Sequence, residues 1–113
     1  MVDYKTQITS LLNTILPTYY EYFLGDDITL PCITYIESDN AVRVDGDTMR
    51  YSYLTFTIKL YAYTVADIAT YGPEIDEALK SAGFERLSSN EMKVNSQIVK
   101  IMNYRATALE TEN

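Results

Sequence analysis

The sequence predicts an α+β domain: an antiparallel β-sheet with two α-helices packed on one face, in the order α-β-β-β-α-β-β. Three observations predict it. Residues Arg50–Tyr63 alternate with period two over their whole length. Residues 3–16 and 67–82 carry apolar residues at helical spacing. Short β-branched or aromatic runs lie around these segments, and one sheet with both helices on a single face buries every apolar stripe.

The first helix is expected over residues 3–16, where Tyr4, Ile8, Leu11, Leu12 and Ile15 form one stripe of a 3.6-residue period. Asp3 is placed to cap it, and Pro17 to end it. In residues 18–27 (TYYEYFLGDD) a short strand is expected, with Gly25-Asp26-Asp27 turning the chain. Pro31 precedes a β-branched run, Cys32–Glu37, where proline suits the first residue of a strand. Residues 38–49 are polar and turn-rich, and fit a long loop or a small hairpin with Val42 and Val44 on one arm and a turn at Asp45-Gly46.

Arg50–Tyr63 is the long strand. One face reads Ser52, Leu54, Phe56, Ile58, Leu60, Ala62, and the other Tyr51, Tyr53, Thr55, Thr57, Lys59, Tyr61, Tyr63. Burying Leu54, Phe56, Ile58 and Leu60 contributes at most about 1.5–3 kcal/mol each. The second face is too apolar for plain solvation and too polar for a second core. It suits a subunit contact, where tyrosine is enriched.

The second helix runs from Asp67, as N-cap, to Ala82, with Ile68, Tyr71, Ile75, Ala78, Leu79 and Ala82 inward and Gly83 just past its end. Pro73 either kinks it or marks the start of its main part, followed by Glu74, Asp76 and Glu77. Residues 84–87 form a short strand, Ser88-Ser89-Asn90-Glu91 a turn, and Gln97–Leu109 the last strand. In that strand Ile98, Met102, Tyr104, Ala106 and Ala108 look inward and Lys100 is an exception. Val99 and Ile101 break the alternation, which calls for a bulge or burial on two sides.

Composition narrows the function. The 113 residues fit one domain, and 47% hydrophobic residues supply a core. A net charge of −7 argues against a basic patch that holds nucleic acid, though not against DNA passing nearby. Cys32 is the single cysteine, so no internal disulfide forms, and it reads as a small buried hydrophobe. No signal-like or membrane-spanning apolar run is present, and the chain is expected to be soluble, made inside the cell and not bound to membrane.

Catalytic chemistry is mostly missing. The sequence has no histidine, so the commonest general base and metal ligand are absent. Cys32 has no histidine partner and no basic sequence neighbour to lower its pKa. The four glycines make no phosphate loop. Glu37, Asp39, Asp45 and Asp47 do not follow calcium-loop spacing. Tyrosine stacking on bases would need cations beside it, and the tyrosine face offers only Lys59. Neither an enzyme nor a cofactor or metal site is expected.

Several segments together resemble a known family. They are the N-terminal amphipathic helix, the Pro31-Cys32-Ile33-Thr34-Tyr35 strand with its polar sequel, the long strand ending in an aromatic, and Ala82-Gly83-Phe84-Glu85-Arg86 at a helix end. From about Tyr4 to Ala108 the chain resembles the tail-completion or tail-terminator proteins of tailed bacteriophages and prophages, the head–tail joining proteins of long-tailed phages. The resemblance implies a structural virion protein of the tail and neck, assembled in the host cytoplasm. It implies a hexameric ring that caps the tail tube, with the phage major tail protein and head-connector or neck proteins as partners, and DNA passing through unbound. Under it, Tyr51, Tyr53, Thr55, Thr57, Lys59, Tyr61 and Tyr63 form one subunit patch. An acidic loop with Glu37, Asp39, Asp45 and Asp47 faces the channel, where like charge repels phosphates. A tail-tube subunit, or a small cytoplasmic adaptor with an aromatic groove, are the alternatives.

Overall fold

The computed structural model describes residues 4–20, 29–45, 49–94 and 96–110. The elements follow the expected order: α1 (Tyr4–Leu12), β1 (Thr18–Tyr20), β2 (Cys32–Asp45), β3 (Met49–Ala62), α2 (Val65–Ser81), β4 (Glu85–Val94) and β5 (Gln97–Glu110). The strands form one five-stranded sheet in the order β1-β2-β3-β5-β4, with β3 central. The sheet is mixed rather than wholly antiparallel, because β1 runs parallel to β2 with Thr18 beside Ile33.

The long strand is where the alternation puts it. Leu54, Phe56, Ile58, Leu60 and Ala62 are all buried, and both helices pack on that face through Ile8, Leu12, Ile68, Ile75 and Leu79, with Leu16 from the turns after α1. β3 ends at Ala62, so Tyr63 stands past the strand in the bend before α2. Tyr35 and Phe84 meet Phe56 edge-on at 5.7 and 5.5 Å between ring centroids, and Tyr104 stacks on it at 5.6 Å. Aromatic pairs of this geometry add about 0.5–1.5 kcal/mol beyond burial.

α1 is shorter than its apolar stripe suggests. After Leu12 the chain tightens into turns, with the Ile15 amide donating to the Leu12 carbonyl at 2.9 Å. A residue before proline avoids the helical region, so the helix unwinds ahead of Pro17. Asn13 then accepts the Thr18 amide on Oδ1 at 2.9 Å and starts β1. The proposed cap Asp3, and residues 21–28 with the expected Gly25 turn, lie outside the described residues.

Residues 38–45 are not a loop. They continue β2 as one arm of the hairpin, paired with β3 from Asp39 opposite Thr55 to Asp45 opposite Met49. A bulge between Glu37 and Asp39 absorbs one residue and lets the polar half stay in register. β3 is 14 residues long and its backbone needs partners along its length, which outweighs the poor strand propensity of Ser38, Asp39 and Asn40.

α2 begins two turns earlier than a start at Pro73 would place it, and runs unbroken through that proline. Its N-cap is Thr64, not Asp67. The Thr64 Oγ1 accepts the Asp67 amide at 3.2 Å, which puts Asp67 in the first turn where a negative charge suits the helix dipole. The end is as expected. Gly83 has φ +96°, its amide donates to the Lys80 carbonyl at 3.0 Å, and the Phe84 amide donates to Leu79 at 2.9 Å. That pair of bonds closes the helix and drops Phe84 into the core, so the Ala-Gly-Phe motif is a helix stop.

The expected turn at Ser88–Glu91 is part of β4, and the chain reverses between Val94 and Gln97 instead. Ser88, Ser89 and Asn90 favour turns locally, but β5 offers them a full ladder of partners. Lys100 points to the helix side, as its phase requires. It lies along Gly72 of α2, where a Cβ would come within 3.3 Å of its Cδ, and its amine reaches Glu91 at 3.7 Å. The stem is buried and the charge kept wet.

Candidate functional site

Among the described residues no helix packs on the other side of the sheet, and the expected contact residues Thr55, Thr57, Lys59 and Tyr61 lie there. In register across that side stand Thr34 and Ile36 of β2, Thr57, Lys59 and Tyr61 of β3, Asn103, Ile101 and Val99 of β5, and Asn90 and Met92 of β4. Thr55, Thr57, Lys59 and Tyr61 are half-buried, whereas Tyr63 is exposed and separate from the strand. The side chains of Tyr51 and Tyr53 lie outside the described residues, although both positions belong to β3.

The face has a polar end and an apolar end. At the polar end Thr57 Oγ1 donates to Asn103 Oδ1 at 2.7 Å, Asn103 Nδ2 donates to Ser88 Oγ at 2.8 Å, and Arg105 pairs with Glu85 at 2.8 Å. At the apolar end Tyr61, Val99, Ile101, Met92 and Val94 line a shallow hollow of about 200 Å³, together with Lys59 and Gln97. Met92 and Val94 remain 51% and 46% exposed, while Val99 is buried. The out-of-phase Val99 and Ile101 thus mark burial on two sides. Met92 and Val94 were invisible in the sequence as contact residues, because β4 shows no apolar period of its own.

Two buried polar groups sit on this face of β2. Cys32 is fully buried, and burial pushes its thiol pKa up, away from thiolate chemistry. Thr34 is 1% exposed and its Oγ1 has no hydrogen-bond partner among the described residues.

The acidic hairpin divides. Glu37 accepts the Tyr35 hydroxyl at 3.0 Å, a contact on the helix side of the sheet. Asp39 and Asp45 are strand residues of β2, and their side chains lie outside the described residues, as does the whole of Asp47. The acids of α2 also separate. Asp76 is held by Tyr104, Lys80 and Arg86, whereas Glu74 and Glu77 line an open depression beside Thr14 and Ile15. Among the described residues no three Asp, Glu or Cys gather as a metal would require, and no helix is long and apolar enough to cross a membrane.

No family model matches the chain, and no curated protein matches it. Among solved structures it is similar to a chain in the virion of a native gene transfer agent particle. The TM-score is 0.65 at 16% sequence identity, and the match covers 91% of this chain and 84% of that one. At that identity the likeness is one of fold: the α+β arrangement of this chain recurs in a protein built into a virus-like particle.

Proposed function

We propose that the chain is a structural virion protein of a tailed phage or prophage, and within that class a tail-terminator or tail-completion protein. In this reading copies close into a ring, six being the expected number, which caps the tail tube and meets the head connector. The observation that carries it is the fold shared over 91% of the chain with a component of a gene transfer agent virion. The helix-free face gives it a chemical basis: half-buried threonine, lysine and tyrosine beside exposed Met92 and Val94 suit docking against protein. Ring closure joins two different patches of neighbouring subunits, and this face, from Thr55 to Tyr61 with Tyr51 and Tyr53, is proposed as one of them. Asp39, Asp45 and Asp47 of the hairpin are proposed to face the channel, where they repel passing phosphates; Glu37 already serves Tyr35.

A small-molecule role fits less well. The hollow of about 200 Å³ is smaller and more open than ligand pockets, which run to roughly 300–1,000 Å³. The experiment is electron microscopy of the purified chain alone and with tubes of the cognate major tail protein. Closed rings at tube ends are expected, and they are lost on the double change Tyr53→Ser and Tyr61→Ser. Open-ended polymers would make the chain a tube subunit. A protein that stays monomeric with and without tubes would end the reading.

A further inference from the structure

β4 is the outermost strand of the sheet, and all ten of its residues are exposed. Among the described residues no strand pairs with its outer side. A row of backbone donors and acceptors therefore faces solvent, and such an edge takes up another strand unless something prevents it. Near its start a bulge between Arg86 and Ser88 disturbs the edge. The remaining stretch, Asn90–Val94, is regular, free of proline and borders the apolar hollow. Met92 and Val94 stand on the helix-free side, Glu91 and Lys93 on the helix side, where Glu91 pairs with Lys100.

Charge selects the occupant. An edge of one sign repels its own copy, but Glu91 and Lys93 are of opposite sign and flank Met92. We infer that the edge is covered by a second copy of this chain, β4 against β4, antiparallel, about a two-fold axis at Met92. Each Glu91 then faces Lys93 of the other copy, Asn90 faces Val94, and Met92 faces Met92. Such an axis stands perpendicular to the sheet and keeps the two helix-free faces on the same side, so the two hollows adjoin across Met92 and Val94. The register is specified by the same charges. Centring the pair on Glu91 sets glutamate against glutamate, and centring it on Lys93 sets lysine against lysine, and like charges directly opposite are unfavourable. The edge contact is short beside the roughly 1,000 Å² of a stable specific interface, so the pair forms with rising concentration and exchanges. The β4 pair is independent of the virion role and is measured without rings or tubes.

The test is sedimentation velocity on the full chain over a concentration series, with circular dichroism to confirm that each variant is folded. The native chain is expected to shift from monomer to dimer. Lys93→Glu and Glu91→Lys each weaken the dimer by about tenfold or more, since two attractive cross-strand pairs become repulsive. An equimolar mixture of the two variants restores it, because their charges complement each other. Under oxidised glutathione, Met92→Cys gives a disulfide-linked dimer. Asn90→Cys, whose opposite residue is Val94, does not, and the buried Cys32 gives none. The inference is overturned by a native chain that stays monomeric throughout, by a dimer indifferent to Lys93→Glu, by a mixture no better than its parts, or by Asn90→Cys linking as readily as Met92→Cys.

Discussion

Tyr104 of β5 donates its hydroxyl to Asp76 of α2 at 2.8 Å, and this bond ties the second helix to the sheet through the core. Lys80, one turn on along the helix, reaches the other oxygen of Asp76 at 3.0 Å, and Arg86 of β4 comes within 3.5 Å of it. One carboxylate thus joins α2, β4 and β5. Tyr104→Phe keeps the ring stacked on Phe56 and removes only the donor. A loss of about 1–2 kcal/mol is expected, measured as a shift in the urea midpoint at unchanged slope.

The same carboxylate gives stability an acid limit. Burial pushes the Asp76 pKa up, but the Tyr104 hydroxyl, Lys80 and Arg86 together outweigh burial and hold it below the ordinary carboxylate value. A group whose folded pKa is depressed adds stability above its unfolded value, and that stability is lost as pH falls through the folded pKa. Urea midpoints should therefore decline on acidification below about pH 4, with a smaller decline in Asp76→Asn. Tyr104 sets the alkaline side. Burial and the neighbouring Asp76 push its phenol up, so its contribution is present below the unfolded tyrosine value and fades as pH rises past about 10.

Gly83 tests the helix stop. At φ +96° a side chain is strained, yet a Cβ there would meet nothing within 4 Å. The cost of Gly83→Ala is then a matter of backbone conformation alone, about 1–2 kcal/mol, with Gly83→Asn milder. Thermal melts of the two variants check the order.

Gly72 tests the Lys100 contact. In Gly72→Ala the new methyl carbon would sit 3.3 Å from the Lys100 stem, which is flexible enough to give way, while alanine improves helix propensity by about 1 kcal/mol. A near-neutral change is expected. Gly72→Leu fills the space that the stem occupies and should cost about 1–3 kcal/mol by overpacking. Both are read from denaturant midpoints.

What the sequence reveals here is the part written in one element's own period. β3 could be read because five alternate residues, Leu54 to Ala62, face one core, and Gly83 because a left-handed position asks for glycine. Cap choice was harder: Thr64 and Asp67 both suit an N-cap, and only the full helix decides for Thr64. β4 was hidden, since Ser88, Ser89 and Asn90 favour a turn and the strand exists through pairing with β5. The direction of β1 depends on a return path that three residues cannot encode. For the same reason the helix-free face was half legible. Its β3 row and the odd Val99 and Ile101 could be seen, but Met92 and Val94 join it only when two strands are laid side by side.

The lone thiol of Cys32 lies in β2, opposite Tyr61 of β3, with none of its surface open to water. A maleimide added to the native protein therefore waits for the sheet to come apart, and its rate of attachment is a clock on that opening. With nothing engineered into the chain, mass shifts over time report how often the fold opens around β2. The same clock should slow when the protein is locked into any larger assembly that holds the sheet shut.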